Sequence, residues 1–403
     1  MNSRWFAPML LAGALLGWLL ATFAPDQSWL FELTRIVQTT FLTALKMIIA
    51  PLIFFSLISG VLKLRQTSSM GRLGGVTLTY YFATTSIAIC IGLIVVFFIH
   101  PWTAYPPLSV MPTPPSGLLS QQDASLGTLI SGVLTDMFAN PFSALADLNI
   151  LGILTSALLL GLAAAMTLPS DSKWPDLFDQ ITQTIFTLAR WVLNFLPLGL
   201  FAIAHQLTAD VTIDTMVSLG QFALVVLGAT AFHGLVVLPL MAWWLTGISP
   251  WRFFQQTNQA LFTAFITSSS AATLPLSLQT AEERLGVDRN KAAFVLPLGA
   301  TINMDGTALF EGIAAVFLAY MFGIDLNVAA IVMIFLVTML ASAGAPGIPS
   351  GSMAGVQVVL ISVGIPLEGI ALLLLIERPL DTFRTAVNVE GDLIGSMIAD
   401  KYS

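Results

Sequence analysis

The last apolar stretch of the sequence carries six polar residues that could bind charged ligands: Glu377, Asp381, Arg384, Thr385, Asn388 and Asp392. At 100° per residue of an α-helix, all six fall within a stripe about 100° wide that runs roughly 22 Å along the axis. Such a stripe must face a polar interior. Arg384 offers a planar fork to a carboxylate, Asp381 a partner for an ammonium group, and Asp392 a cation ligand. A purely structural ion pair between Glu377 and Arg384 is the alternative.

A second polar segment, GATINMDGT at 299–307, interrupts an apolar run. Asn303, Asp305 and Gly306 break a helix in its middle, and a carboxylate at that depth is costly unless it is paired or binds a cation. Oxygens of Asp305, Asn303, Thr301 and freed backbone carbonyls are the ligands that a hard cation prefers. A solvated turn between two helices is the other interpretation, but no charged linker surrounds the segment.

Two more segments are rich in helix-breaking residues. TSSSAATLP (267–275) combines small residues with a proline, and SAGAPGIPSGS (342–352) has too much Gly and Pro for a continuous helix. Each lies between apolar arms about half a bilayer long, which predicts two re-entrant hairpins opening from opposite sides. Paired interrupted segments are typical of the binding site of a secondary transporter. The alternatives are a serine-rich helix face for the first and an external loop for the second.

Weaker signals lie elsewhere in the chain. Tyr81, Thr84 and Thr85 could supply further oxygens, although helix packing alone also explains them. Three histidines lack the spacing of metal ligands and are predicted to be structural: His100, His205 and His233. No phosphate-binding loop, HExxH, GxSxG or dinucleotide motif occurs, so the sequence indicates neither ATP-driven transport nor hydrolysis, and an embedded enzyme is disfavoured. A channel would need a continuous polar path, whereas these polar residues concentrate at four breaks.

The composition decides what kind of chain must position these residues. Of 403 residues, only 37 are charged, 56% are hydrophobic, and the mean hydropathy is +0.88. An ordinary soluble domain of this length would carry about 100 charged residues, so a soluble enzyme is excluded. The single Cys90 excludes an internal disulfide, and a net charge of −7 argues against nucleic acid as a partner. The sequence therefore predicts an all-α polytopic membrane protein in contact with the lipid bilayer.

Apolar runs long enough to span a bilayer set the expected organisation. They lie at roughly 5–24, 41–62, 76–99, 127–168, 176–207, 212–246, 292–322, 326–363 and 366–398. We expect the first run to be a retained helix rather than a signal peptide, and 101–126, rich in proline, to be an external loop. Lys and Arg alternate between connecting segments in a way that predicts a cytoplasmic N-terminus in a prokaryotic cell membrane.

The motifs SSSAATLP (268–275), NMDGT (303–307) and DTFRTAVNVEGD (381–392) together resemble the dicarboxylate/amino acid:cation symporter family, which includes archaeal aspartate transporters and excitatory amino acid transporters. The resemblance implies eight transmembrane helices and two re-entrant hairpins in a homotrimer, with an elevator-type mechanism. It further implies scaffold helices 1–2 in residues 1–70, transport-domain helix 3 in 71–100, a loop with scaffold helices 4–5 in 101–207, and the remaining transport domain in 208–403.

Residue by residue, the resemblance implies a substrate site and three sodium sites. Asp381 matches the aspartate that holds the substrate amine, and Arg384 the arginine that binds the side-chain carboxylate. The other implied substrate contacts are Ser269, Ser270, Thr307, Ile348, Thr385 and Asn388. The first implied sodium site comprises Gly299, Asn303, Asn388 and Asp392. The second comprises Thr301, Ser342, Ala343 and Ala345, largely through backbone carbonyls, and the third Tyr81, Thr84, Thr85, Asn303 and Asp305.

The sequence also departs from the family pattern. Ser268 and Thr382 stand at the two positions where family members carry an additional arginine, a charge that Arg378 could replace, and Ser350 stands where glycine or glutamine is common. Glu311 stands where the archaeal members have glutamine and the animal transporters a proton-carrying glutamate, which makes it a proton-coupling candidate. An interhelical hydrogen-bonding role is the alternative for Glu311.

We therefore expect a secondary active symporter that takes up aspartate or glutamate together with sodium, with protons as a second candidate coupling ion. We expect no cofactor. The alternatives are a C4-dicarboxylate or neutral amino acid symporter of the same fold and, in another class, a substrate-gated anion channel or a non-transporting binder. Asp381 favours an amino acid over a plain dicarboxylate, which has no ammonium group. Arg384 disfavours neutral amino acids, because a buried guanidinium would stay unpaired.

Overall fold

The computed structural model describes residues 16, 19–20, 28–65, 71–107, 134–135, 137–169, 171–207, 213–343 and 351–403. Regular secondary structure in these ranges is entirely helical. The predicted first helix (5–24) lies almost wholly outside the described residues, as do residues 108–126 of the predicted external loop and the tip of the second predicted hairpin at 344–350.

The first half of the chain forms a set of helices that ends near residue 207. These helices are α1 Ser28–Arg65, α2 Gly71–Phe98, α3 Pro141–Asp147, α4 Ile150–Thr167, α5 Trp174–Leu193 and α6 Leu196–Leu207. Residues 28–40 lie between the predicted runs 5–24 and 41–62, yet in the structure they form the beginning of α1. Charge does not end the helix here, because Glu32 and Arg35 pair at 2.7 Å across one turn of its exposed face. At about 57 Å, α1 is longer than a bilayer core.

The predicted run 127–168 is broken before α4. Leu148 adopts a left-handed backbone conformation at φ 55°, and the side chain of Asn149 accepts a hydrogen bond from the backbone N–H of Gly152 at 3.0 Å. The carboxamide therefore satisfies one of the free N–H groups at the start of α4. The chain turns at this point, so the described part of this run is divided between α3 and α4.

The second half carries the interrupted segments. Its helices are α7 Ile213–Phe232, α8 Leu238–Thr246, α9 Pro250–Thr267, α10 Ser270–Gln279, α11 Arg289–Ile302, α12 Asp305–Met321, α13 Val328–Ser342, α14 Ser352–Ser362, α15 Ile370–Leu374 and α16 Glu377–Tyr402. π-Helical turns at His233–Val237 and Thr280–Leu285 and short 3₁₀ turns at Pro101–Ala104 and Leu367–Gly369 complete the elements.

Helix packing forms two groups. In the first, α1 packs against α4, α5 and α6. In the second, α16 packs against α2, α9, α11 and α12 and lies at the centre, while α13 packs against α14. Contacts of α13 and α14 with α4, and of α14 with α1, join the two groups. The polar helix α16 is thus surrounded by protein, as its sequence requires.

Three stretches of the described residues are long and apolar enough to cross a membrane: Arg72–Ala104, Ile213–Thr246 and Arg289–Met321. The most apolar 18 residues of the third stretch are 94% buried inside the protein, whereas those of the other two are less than half buried. The broken α11–α12 segment is therefore an inner element, and α2 and α7–α8 present much of their surface outward.

Candidate functional site

All six polar residues of the predicted stripe lie on α16 and are buried. The guanidinium of Arg384 is fully buried, and its Nη2 donates to Oε1 of Glu377 at 2.8 Å and to Oδ1 of Asp381 at 3.1 Å. Its centre lies 4.0 Å from the ring centroid of Phe310. Nε and Nη1 of this arginine have no hydrogen-bond partner among the described residues. Among the described residues, two nitrogens of the fork thus keep their N–H groups free for an anion.

The break between α11 and α12 brings backbone N–H groups against α16. The amide N–H of Gly306 donates to Oδ1 of Asn388 at 2.8 Å, and Nδ2 of Asn388 donates to Oγ1 of Thr307 at 3.2 Å. A Cβ on Gly306 would lie 2.7 Å from the carbonyl oxygen of Arg384. Only glycine permits this approach, so Gly306 allows the start of α12 to pack directly against the backbone of Arg384. Thr385 is buried one position after that arginine.

Four of the residues predicted for the third sodium site, Thr84, Thr85, Asn303 and Asp305, lie together in the structure. Oδ1 of Asp305 accepts from Oγ1 of Thr85 at 2.7 Å and from Oγ1 of Thr84 at 3.4 Å. Thr84 also lies 3.4 Å from Oδ1 of Asn303. These side chains come from α2 and from the break, and all are buried. They form a compact group of oxygen atoms with one carboxylate.

The predicted first sodium site adjoins that group. Nδ2 of Asn303 donates to Oδ1 of Asp392 at 3.1 Å, which joins the break to α16. A Cβ on Gly299 would overlap Oδ1 of Asp392 and the hydroxyl of Tyr81. That hydroxyl donates to the carbonyl of Val295 at 3.0 Å, so it lies near the site without contacting Asp305 directly.

The residues of the predicted second sodium site are less completely placed. Oγ1 of Thr301 donates to the carbonyl of Leu298 on its own helix at 3.0 Å, and this threonine is exposed. Oγ of the buried Ser342 donates in the same way to the carbonyl of Met339 at 3.2 Å. Ala343 is half-buried at the end of α13, whereas Ala345 lies outside the described residues. The hydroxyls of Thr301 and Ser342 thus each donate their hydrogen within their own helix.

The tip of the first predicted hairpin corresponds to the junction between α9 and α10. Ser268 ends α9 at φ 50°, and the side chain of Ser269 accepts from the N–H of Ala272 at 3.1 Å, which caps α10. Ser270 is buried at the first position of that helix. Both hairpin arms pack against α16. Ile348, the expected contact at the second tip, lies outside the described residues.

Glu311 lies fully buried on α12, two turns beyond the break. Neither oxygen of its carboxyl has a hydrogen-bond partner among the described residues. The carboxyl lies against Gly355 of α14, where a Cβ would overlap Oε1. The alternative role of Glu311, an interhelical hydrogen bond, is therefore not formed by the described residues, and the carboxyl contacts α14 instead.

Two buried residues beside the site were not among its predicted members: His233, which was predicted to be structural, and Glu390. Nε2 of His233 lies 3.2 Å from Oδ2 of Asp305, so this histidine contacts a predicted ion ligand. Glu390 is buried on α16 against Gly234, with Oε1 unpaired among the described residues. Thr382, at a position of the family's additional arginine, is exposed and bonds only to its own helix, at the carbonyl of Pro379, among the described residues.

The chain matches known proteins along nearly its whole length. The sequence profile of the Sodium:dicarboxylate symporter family matches residues 6–402. The chain belongs to this family. This symporter is 31% identical to Excitatory amino acid transporter 3 of Mus musculus over 452 residues, covering 100% of the chain and 86% of the relative.

Two other relatives are named for transport of different kinds of amino acid. An Excitatory amino acid transporter of Caenorhabditis elegans is 32% identical over 89% of the symporter and 79% of its own length. The Neutral amino acid transporter B(0) of Bos taurus is 33% identical over 90% of the symporter and 72% of its own length. Family membership confirms the resemblance found in the motifs and the prediction of a sodium-coupled symporter rather than an enzyme.

Proposed function

We propose that this symporter takes up an acidic amino acid, aspartate or glutamate, together with sodium ions. The observation that carries the proposal is the buried pair of Asp381 and Arg384 on one face of α16, 3.1 Å apart beside the break of α11–α12. An acidic amino acid presents one ammonium group and one additional carboxylate, and this pair offers the complementary charge to each. Arg384 keeps two donors for that carboxylate, since Nε and Nη1 are unpaired among the described residues.

The remaining substrate contacts follow from the same geometry. The N-terminus of α10 at Ser269 and Ser270 and the second hairpin at Ile348 would enclose the α-carboxylate, because helix N-termini favour anions. Thr307, Thr385 and Asn388 would provide polar contacts beside it. The names of the excitatory amino acid transporters support an acidic substrate, whereas the B(0) relative makes a neutral substrate the competing possibility.

Sodium would bind at the three groups of oxygen ligands. The group around Asp305, with Tyr81, Thr84, Thr85 and Asn303, and the group around Asp392, with Gly299, Asn303 and Asn388, each contain one buried carboxylate. A monovalent cation at each would neutralise that charge, which is otherwise costly to bury. The third group would use carbonyl oxygens near Thr301, Ser342, Ala343 and Ala345.

Glu311 would carry a co-transported proton. Its carboxyl is fully buried without a partner among the described residues, and such a group is far less costly when neutral. Because it lies against Gly355 of α14, its charge would act on the second hairpin. Proton release would then require the hairpin arm to move or water to enter.

Transport would follow an elevator-type mechanism in an assembly of eight transmembrane helices and two re-entrant hairpins per subunit. Residues 1–70 and 101–207 would form the scaffold and 71–100 and 208–403 the moving domain, a division that the two packing groups support. We further propose a homotrimer in the cell membrane with a cytoplasmic N-terminus.

Substrate preference tests the proposal. Purified protein in proteoliposomes, with an inward sodium gradient, would be supplied in turn with labelled aspartate, succinate and serine. We expect aspartate to be taken up best. Succinate transported better than aspartate would remove the role of Asp381 as amine partner, and preferred serine uptake would remove the role of Arg384.

A further inference from the structure

The two carboxylate oxygens of Asp305 face different partners. Oδ1 faces the threonines of α2, with Thr85 at 2.7 Å, whereas Oδ2 faces Nε2 of His233 at 3.2 Å. Both residues of this second contact are fully buried. An ionised Asp305 only accepts hydrogen bonds, so in that state it is Nε2 that carries the hydrogen and donates it. The imidazole therefore fixes one oxygen and leaves the other directed at the oxygen group on α2.

The position of His233 follows from the local sequence. Pro239 has no backbone N–H, so the regular helical hydrogen bond to the carbonyl of residue 235 cannot form. The chain adopts a π-helical turn at His233–Val237, in which the N–H of Leu238 donates to the carbonyl of His233. π-Helical turns inside α-helices are frequent at functional sites.

Gly234 allows this turn to approach α16. A Cβ at that position would lie 2.7 Å from Cγ2 of Val387 and 3.2 Å from Oε2 of Glu390. On the other side, a Cβ on Gly391 would lie 3.7 Å from Oδ2 of Asp305. Gly234 thus faces Val387 and Glu390 of α16, and Oδ2 of the aspartate lies near both His233 and Gly391.

We propose that His233 is a positioning residue for cation coupling: it holds Asp305 in the orientation that presents Oδ1 to the sodium group formed with Thr84, Thr85 and Asn303. Groups that hydrogen-bond to a metal ligand orient it, and their loss typically weakens metal binding roughly 10- to 100-fold. This inference rests on the proposed sodium coupling. The imidazole acts here through its hydrogen bond to Asp305.

Three variants separate this role from simple packing. His233→Asn is too short to reach Asp305, whereas the amide nitrogen of His233→Gln can occupy the place of Nε2. Gly234→Ala retains the histidine but pushes the turn away from α16. His205→Asn is the matched control, because it removes another buried histidine, which lies 3.0 Å from Thr34 on α1 and far from this group in the packing.

The measurement is aspartate uptake into proteoliposomes at increasing sodium, with a second series at increasing aspartate and saturating sodium. We expect His233→Asn and Gly234→Ala to raise the half-saturating sodium concentration about tenfold, with little change in the KM for aspartate at saturating sodium. His233→Gln should restore most of the sodium affinity, and His205→Asn should match the wild type.

Two results would overturn the inference: an unchanged sodium dependence in a folded His233→Asn protein, or a Gln variant no better than the Asn variant. An equal loss in sodium and aspartate affinity would indicate packing alone and also contradict it. If instead wild-type uptake itself ignores sodium, the proposed function fails, which is a distinguishable outcome. If the Asn variant does not fold, the Gly234→Ala and His233→Gln proteins decide.

Discussion

Replacement of Arg384 by alanine is the perturbation that most sharply tests the substrate assignment. Truncating one partner of a buried charge pair costs about 2–5 kcal/mol. Glu377 at 2.8 Å and Asp381 at 3.1 Å, however, share the guanidinium, so a substrate carboxylate must compete with them. We therefore expect the lower part of that range, about 2–3 kcal/mol, which is roughly a 30- to 150-fold loss in aspartate affinity.

The same substitution has a cost in stability that must be separated from binding. It removes the guanidinium from two buried acids, and breaking a buried ion pair costs about 3–5 kcal/mol. The double variant Arg384→Ala/Glu377→Gln removes one of the two negative charges and should recover part of that loss. Thermal unfolding of both proteins, measured in detergent, shows whether the affinities come from folded protein.

The assay is competition binding of aspartate and serine at saturating sodium. Both variants should lose aspartate affinity by the stated factor, whereas serine, which has no side-chain carboxylate, should lose much less. An aspartate affinity that stays within threefold of wild type in a folded variant would refute the assignment of the arginine. Equal losses for aspartate and serine would place its role in site structure and not in substrate choice.

Three further predictions follow from the site. Asp392→Asn removes a formal charge 3.1 Å from Asn303, so it should chiefly raise the sodium concentration that gives half-maximal uptake. If that concentration is unaltered, no coupling ion binds at Asp392. Glu311→Gln mimics the neutral form of this buried carboxyl. Net uptake should therefore lose its stimulation by an inward proton gradient, while substrate exchange continues. An unchanged pH profile of uptake would leave Glu311 with a structural role. The Cβ of Gly355→Ala would overlap Glu311, so this variant should impair uptake strongly. Gly312→Ala is the control on α12, because its Cβ would meet its nearest atom only at 3.8 Å, and it should not impair uptake. Equal activities of the two variants would show that the contact between Glu311 and Gly355 is not needed.

The helical stripe and the breaks were predictable from sequence because each depends on local pattern. A 3.6-residue period placed six polar residues on one face of α16, and the structure buries all six. Polar and helix-breaking residues within an apolar run likewise indicated the interruption at 303–304. The motifs at these breaks pointed to the family that the whole-chain profile then confirmed.

Other features depend on contacts between distant segments and had no local signal. His233 meets Asp305 across 72 residues, and nothing in its surroundings distinguishes it from a packing histidine. Glu390 lies about 180° around α16 from Asp381, on the face opposite the predicted stripe, where Gly234 makes room for its carboxylate. The start of α1 was missed because Glu32 and Arg35 resemble linker charges, yet they pair on one helix face.

Ion-driven accumulation tests the central claim most directly. Proteoliposomes loaded with potassium would be diluted into sodium medium containing labelled aspartate, and the internal concentration followed over time. The account predicts accumulation above the external concentration, which collapses when a sodium ionophore dissipates the gradient and does not occur in Asp305→Asn protein. Aspartate that only equilibrates across the membrane, with or without the sodium gradient, would contradict it.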